Sequence, residues 1–304
     1  MVRSTPRWAS RSSALSVSAQ DAQPLLDVRD LRVEFGTGAD VVCAVDGISF
    51  HVGAGETLGI VGESGSGKSV TAMSLVGLVP VPPARVEATR VSLGGVDLLG
   101  LDVADLSRVR GKRIGFVFQD PLSALNPVMA VGRQVGEVIE RHLGGSAAQV
   151  RQRAAHWLGR VGIPQPAELA QAYPHQLSGG MRQRAMIAIA LAAEPELLIA
   201  DEPTTALDVT VQAQIVDLMR ELRDDLGMAL IWISHDLGVV ASLADRVAVM
   251  RAGKIVETAS ALDLYADPQH AYTRELMALA RRSALGIESI GSEAPEAGRP
   301  EPRP

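Results

Sequence analysis

An α/β fold is the class this sequence predicts, and three observations predict it. Short apolar runs alternate with segments of helical periodicity. A glycine-rich loop stands between one such run and one such helix, and another run ends in two adjacent acids. The 304 residues are 47% hydrophobic, enough to bury one large core or two modest ones.

Taken in order, residues 1–24 carry Arg3, Arg7 and Arg11 among serines and alanines. They lack the apolar block of about 7–15 residues that a secretory signal needs, and read equally as a disordered leader or as the product of a misassigned start codon. Residues 57–61, 114–118, 197–200, 229–234 and 246–250 are apolar runs of strand length. Gly94-Gly95 and Ala252-Gly253 each separate two strand-like runs and predict hairpins added to the α/β core. Val150, Ala154, Trp157, Leu158 and Val161 share a helical face behind a capping Ser146, and Val211, Ile215, Leu218, Leu222 and Leu226 share another. The stretch 292–304 is dense in Pro, Glu and Gly and reads as a tail.

Composition excludes several classes. Against 35 acids, the 29 basic residues include only Lys68, Lys112 and Lys254 as lysines, and the net charge of −6 argues against a broad nucleic-acid footprint. The one cysteine, Cys43, can form neither an intrachain disulfide nor a paired-thiolate metal site. The longest purely apolar run, residues 185–193, falls far short of the roughly 20 residues a membrane-spanning helix requires.

The loop Gly62-Glu63-Ser64-Gly65-Ser66-Gly67-Lys68-Ser69 follows the strand 57–61 and opens a helical pattern through Val70, Met73 and Val76. In that context its glycines let backbone N–H groups wrap phosphates, Lys68 reaches the terminal phosphates, and the Ser69 hydroxyl suits Mg²⁺. Asp201 and Glu202 end the strand 197–200, where an α/β sheet presents ligand groups. Asp201 is expected to hold the Mg²⁺ shell and Glu202 to polarise an attacking water. His235 and Gln119 each follow a strand, the first placed to meet a γ-phosphate or to hold a catalytic acid in place, the second to sense Mg²⁺ or the water. Ser178-Gly179-Gly180 opens the helix through residues 185–193, a second helix start able to bind an anion.

Together these motifs resemble the ATP-binding cassette superfamily. Gly62 to Ser69 match its Walker A motif, Asp201-Glu202 its Walker B motif with catalytic glutamate, and Gln119 its Q-loop. Ser178-Gly179-Gly180 match the signature, Ala206-Leu207-Asp208 the D-loop and His235 the switch histidine. Phe118-Gln119-Asp120-Pro121, Tyr173-Pro174-His175-Gln176-Leu177 and Ala271-Tyr272-Thr273-Arg274-Glu275-Leu276 resemble the oligopeptide, dipeptide and nickel importer subgroup, and Met181 is usual there. Many members carry cysteines in a C-terminal segment, in some cases for an iron–sulfur cluster. This chain has none beyond Cys43, so no cluster is expected.

The resemblance implies a RecA-like P-loop core with an antiparallel β subdomain and an inserted helical subdomain at about 120–176, all within a nucleotide-binding domain at 25–260. Residues 261–304 would form a C-terminal extension. It implies ATP and Mg²⁺ as ligands, with Val70 and Asp208 joining the nucleotide contacts and Phe35 stacking on adenine, although residues 36–40 lengthen the turn that follows it. It further implies a head-to-tail pair in which ATP on Lys68 of one chain faces Ser178 and Gly180 of another. The partners would be a second ATPase chain, two membrane permeases and, through the complex, an extracytoplasmic solute-binding protein. The assembly would sit peripherally on the cytoplasmic face of the membrane. The alternative is a non-transport cassette protein of DNA repair or translation, but Lys68 and Ser178 lie too close in sequence for the long coiled-coil arm of repair members. A P-loop kinase or GTPase would leave Ser178 unexplained.

Overall fold

The strands of the glycine-loop region are apolar on both faces because two cores meet across them. The structure is a computed structural model that describes residues 23–36, 41–205 and 207–284. In chain order it runs β1 (Leu26–Phe35), β2 (Val42–Val52), β3 (Thr57–Val61), α1 (Lys68–Leu75), β4 (Ala84–Glu87), β5 (Arg90–Leu93), β6 (Val96–Asp97), α2 (Val103–Val109) and β7 (Ile114–Val117). Then follow α3 (Pro121–Ala124), α4 (Val131–Leu143), α5 (Ala147–Arg160), α6 (Pro166–Leu169), a 3₁₀ turn (Pro174–Gln176) and α7 (Gly179–Leu191). The chain continues through β8 (Leu197–Asp201), α8 (Val209–Leu226), β9 (Ala229–Ile233), α9 (Leu237–Leu243), β10 (Arg246–Arg251), β11 (Lys254–Ser260), α10 (Ala261–Ala266) and α11 (Ala271–Ala284).

One sheet has the order β11-β10-β3-β9-β8-β7, parallel except for β11. The other is antiparallel, in the order β2-β1-β5-β6 with β4 also on β1. Alternate residues of the parallel strands divide between two cores, as the two-residue period of a strand requires. Leu58, Ile60, Leu197, Ile199 and Ile231 face the antiparallel sheet and α1. Leu198, Ala200, Leu230, Trp232 and Val247 face the helices on the other side. β3, β8 and β9 are buried at every position, which is why they read as nearly continuous apolar runs, interrupted only by Thr57 at the start of β3 and Asp201 at the end of β8.

The expected strands appear within a residue or so of their expected limits, and the hairpins fall where expected. Gly94 and Gly95 both take positive φ, 52° and 82°, as a two-residue turn between twisted strands requires. Ser146 caps α5 by accepting from the Gln149 amide at 3.4 Å, while the Gln149 side chain accepts from the Ser146 amide at 2.9 Å. Between β7 and α7 every regular element is helical. Val131, Val135 and Ile139 of α4 join Val150, Ala154 and Trp157 of α5 in one apolar cluster with α7. No described helix is long and apolar enough to cross a membrane. Most of the expected leader, Ala206 and the tail from Ser292 lie outside the described residues.

Candidate functional site

The loop after β3 is bent by contacts that only glycine permits at two positions. Gly62 has φ 155°, and a Cβ there would stand 2.2 Å from the Met250 carbonyl oxygen. Gly67 has φ 102°, and its Cβ would stand 2.4 Å from the Ala44 carbonyl oxygen. The β10–β11 turn holds the loop from the same side, with the Gly253 amide donating to the Ser66 carbonyl at 3.0 Å. Gly67 is the N-cap of α1 and offers no side-chain acceptor. The first amides of that helix are thus left for a ligand, at the positive end of its dipole.

A cleft of about 690 Å³ opens over this loop. Ser64, Gly65, Gly67, Lys68, Ser69 and Val70 form its floor, and Ala44, Gln119, Glu202 and His235 its walls. The Lys68 ammonium donates to the Gly62 and Glu63 carbonyl oxygens at 2.8 and 2.9 Å and lies 4.0 Å from Glu202 Oε1. Burial pushes its pKa below the usual lysine range, opposed by the charges of Glu202 and Asp201. The Ser69 hydroxyl donates to Asp201 Oδ1 at 2.9 Å. Burial raises the Asp201 carboxyl, and the hydrogen bond from Ser69 works against that rise.

Three side chains converge on one oxygen of Glu202. Oε2 accepts from Thr205 Oγ1 at 2.9 Å and from Gln119 Nε2 at 3.2 Å, and lies 3.3 Å from His235 Nδ1. Glu202 itself has φ 45°, and its amide donates to the Ile233 carbonyl at 3.0 Å. A carboxylate oriented from three sides next to a buried ammonium is equipped to orient a water against a phosphoryl group. The oxygen donors of Ser69, Asp201 and Gln119 suit a hard divalent cation that completes its shell with phosphate and water. The described residues contain no cluster of three or more His, Cys, Asp or Glu groups able to hold a metal.

The remaining expected residues are placed elsewhere. Ser178 is the N-cap of α7 and accepts from the Met181 amide at 3.3 Å. Ser178 and Gly179 are exposed, and neither they nor Gly180 line the cleft. Gly180 is required by packing, since its Cβ would meet Val211 Cγ1 at 2.9 Å. Asp208 caps α8 by accepting from the Val211 amide at 2.9 Å, so the starts of α7 and α8 are neighbours. Phe35 is half-buried against the core of the antiparallel sheet and is not among the cleft's lining residues. Residues 37–40 of the turn after it lie outside the described residues. Sequence reasoning missed Ala44, which reaches the cleft only through the register of β2. It also missed Thr205, whose signal was a hydroxyl three residues after the second acid.

Comparison with known proteins agrees with this geometry. The family model described as ABC transporter matches residues 45–205. The chain is 51% identical over 269 residues to the oligopeptide transport ATP-binding protein OppD of Bacillus subtilis, covering 88% of this chain and 74% of that one. With the dipeptide transport ATP-binding protein DppD of the same organism it shares 47% over 283 residues, covering 92% and 84%. An OppD of Mycobacterium tuberculosis is 55% identical over 257 residues, which is 84% of this chain and 41% of that longer protein. Among solved structures, the dimeric post-hydrolysis state of the cassette MJ0796 with ADP and Pi superposes with TM-score 0.70 at 27% identity, covering 78% of this chain and 98% of that one. With the glycine loop, the paired acids and the Ser178 helix start on one scaffold of this shape, the chain belongs to the ABC transporter family, as an ATP-binding cassette.

Proposed function

We propose that this chain is the ATP-hydrolysing subunit of an importer for peptides or similar small solutes, nickel included, and that it works as one half of a head-to-tail pair of cassettes. The observation that carries the reading is the convergence of Gln119, Thr205 and His235 on Glu202 above the Lys68 loop. In this reading Lys68 and the amides from Gly65 to Val70 bind the ATP phosphates, and Glu202 orients the attacking water. His235 and Gln119 hold Glu202 and the γ-phosphate in register. Ser69, Asp201 and Gln119 would hold Mg²⁺, which when bound neutralises charge on the transferring phosphoryl group.

The Ser178 helix start supports the paired arrangement. It has the features of an anion site but lies outside its own chain's cleft, so its phosphate is supplied by ATP on a second cassette. The names of the relatives support peptides as cargo. Two permeases would seat against the helical segment between β7 and α7, where Gln119 stands at the hinge, and membrane attachment would come through them. The test is reconstitution with those permeases and the solute-binding protein in vesicles: peptide uptake should require ATP hydrolysis by this chain. Uptake that continues when Glu202→Gln stops hydrolysis would reject the reading.

A further inference from the structure

The C-terminal helix reaches the phosphate loop by one hydrogen bond. The Tyr272 hydroxyl accepts from the Glu63 amide at 3.1 Å. The same peptide unit ends, on its other side, in the Gly62 carbonyl that accepts from the Lys68 ammonium at 2.8 Å. A peptide group is planar and trans, so its N–H and C=O point in opposite directions and turn together. Whatever fixes the Glu63 amide therefore fixes one of the two carbonyl acceptors on which Lys68 rests, the other being that of Glu63 at 2.9 Å.

Tyr272 is itself firmly held. Its side chain is 2% exposed, and the Arg251 guanidinium lies over its ring at 4.5 Å. Its amide donates to His270 Nδ1 at 3.1 Å. The Glu257 carboxylate of β11 accepts the Gln269 and His270 amides at 2.8 and 2.9 Å, which ties the start of α11 to the sheet. Burial holds the phenol above its ordinary pKa, so it remains a neutral hydroxyl at physiological pH.

We propose that Tyr272 is a positioning residue for ATP binding: through the Gly62–Glu63 peptide it sets the place of Lys68, and so makes the C-terminal helix part of the nucleotide site. This rests on the reading of the cleft as the ATP site. The hydroxyl touches no substrate and acts only on the geometry of the loop.

The test uses the full-length chain and Mg-ATP. Tyr272→Phe keeps the ring and its packing and removes the acceptor. It should weaken ATP binding roughly three- to tenfold, the range open to one neutral hydrogen bond, with the KM for ATP in the assembled transporter rising while kcat changes little. The Glu63 amide should exchange with solvent faster, while exchange across β3 and β9 and the thermal midpoint stay as in wild type. Arg251→Gln, which frees the ring and keeps the hydroxyl, should shift affinity in the same direction by less. Wild-type affinity in Tyr272→Phe overturns the proposal. So does a loss of affinity that comes with faster exchange throughout the sheet, because that is a general loss of structure. A parallel Lys68→Ala chain that binds ATP normally would reject the cleft as the ATP site, a failure separate from that of Tyr272.

Discussion

Two helices of this chain begin with glycines and bare amides, yet their surroundings differ. The start of α1 lies at the floor of a cleft whose walls bring Gln119, Glu202 and His235 to within reach of one another. The start of α7 is exposed, its glycines face Leu207 and Val211, and its nearby charged groups are taken up by the backbone, Asp208 accepting from the Val211 amide at 2.9 Å and Arg182 donating to the Leu177 carbonyl at 2.9 Å. The same backbone device is thus set once among side chains that converge on one carboxylate and once where the charged neighbours are spent on capping. Binding an anion takes a helix start; breaking a phosphate bond takes charged groups converging around it, and the first region supplies them.

The contrast can be broken experimentally. Glu202→Gln keeps the shape of the side chain and removes its charge. It should lower turnover by about 10²–10⁴-fold, the span of a lost general base, while ATP affinity stays near wild type and a closed, ATP-bound pair accumulates. Wild-type hydrolysis at the site formed by this chain would mean that the chemistry lies elsewhere. Lys68→Ala should reduce turnover by about 10²–10³-fold, the effect of losing one preorganised donor, and should also weaken nucleotide binding. Near-normal ATPase activity in the reconstituted transporter would remove α1 from its assigned role.

Ser178→Arg should spare binding of ATP to the isolated chain and block closure of the pair by bulk at the shared phosphate. Normal closure and transport would make the start of α7 an ordinary cap. The comparison sharpens in a mixture: if the chain pairs with itself, Lys68→Ala and Ser178→Arg chains together regain one intact site, since one supplies Ser178 and the other Lys68. Recovery of about a quarter of the wild-type activity is then expected at equal amounts, since random pairing makes about half the pairs mixed and each mixed pair has one of its two independent sites intact. A mixture as inactive as either variant alone would show that the natural partner is a different chain.

The smallest effect concerns stability. Burial raises the folded-state pKa of Asp201, so its charged form costs folding energy, and that cost is complete once the pH exceeds the folded value. Asp201→Asn should therefore raise the thermal midpoint of the nucleotide-free chain at neutral pH by about 1–3 °C. The gain should vanish as the pH falls below the unfolded carboxyl range of about 4, where wild-type Asp201 is neutral in both states. A midpoint that falls at neutral pH would show that the hydrogen bond from Ser69 outweighs the burial.

Much of the first region was legible because its chemistry is local. A loop of eight residues contains both its glycines and its lysine, and the acids of β8 directly follow the apolar run that carries them. The helix cap at Ser146 and the hairpin at Gly94-Gly95 are local in the same way. Contacts between distant segments were not legible. Ala44 enters the cleft through strand register, and Tyr272 meets Glu63 across most of the length of the chain. The expectation that Phe35 stacks on adenine comes from the resemblance alone, and its local sequence does not state that the side chain is half-buried against the core under the antiparallel sheet.

Glu202 shows what the site demands of the chain that carries it. Its φ of 45° lies where residues other than glycine are disfavoured. Glycine would relax that backbone and would discard the carboxylate on which Gln119, Thr205 and His235 converge. Position 202 is therefore a point of trade-off between durability and work, where the residue that suits the backbone best is useless to the reaction. Attempts to make this protein more robust by relieving local strain should leave that position alone and turn to positive-φ residues outside the cleft, such as Asp30 with φ 50°.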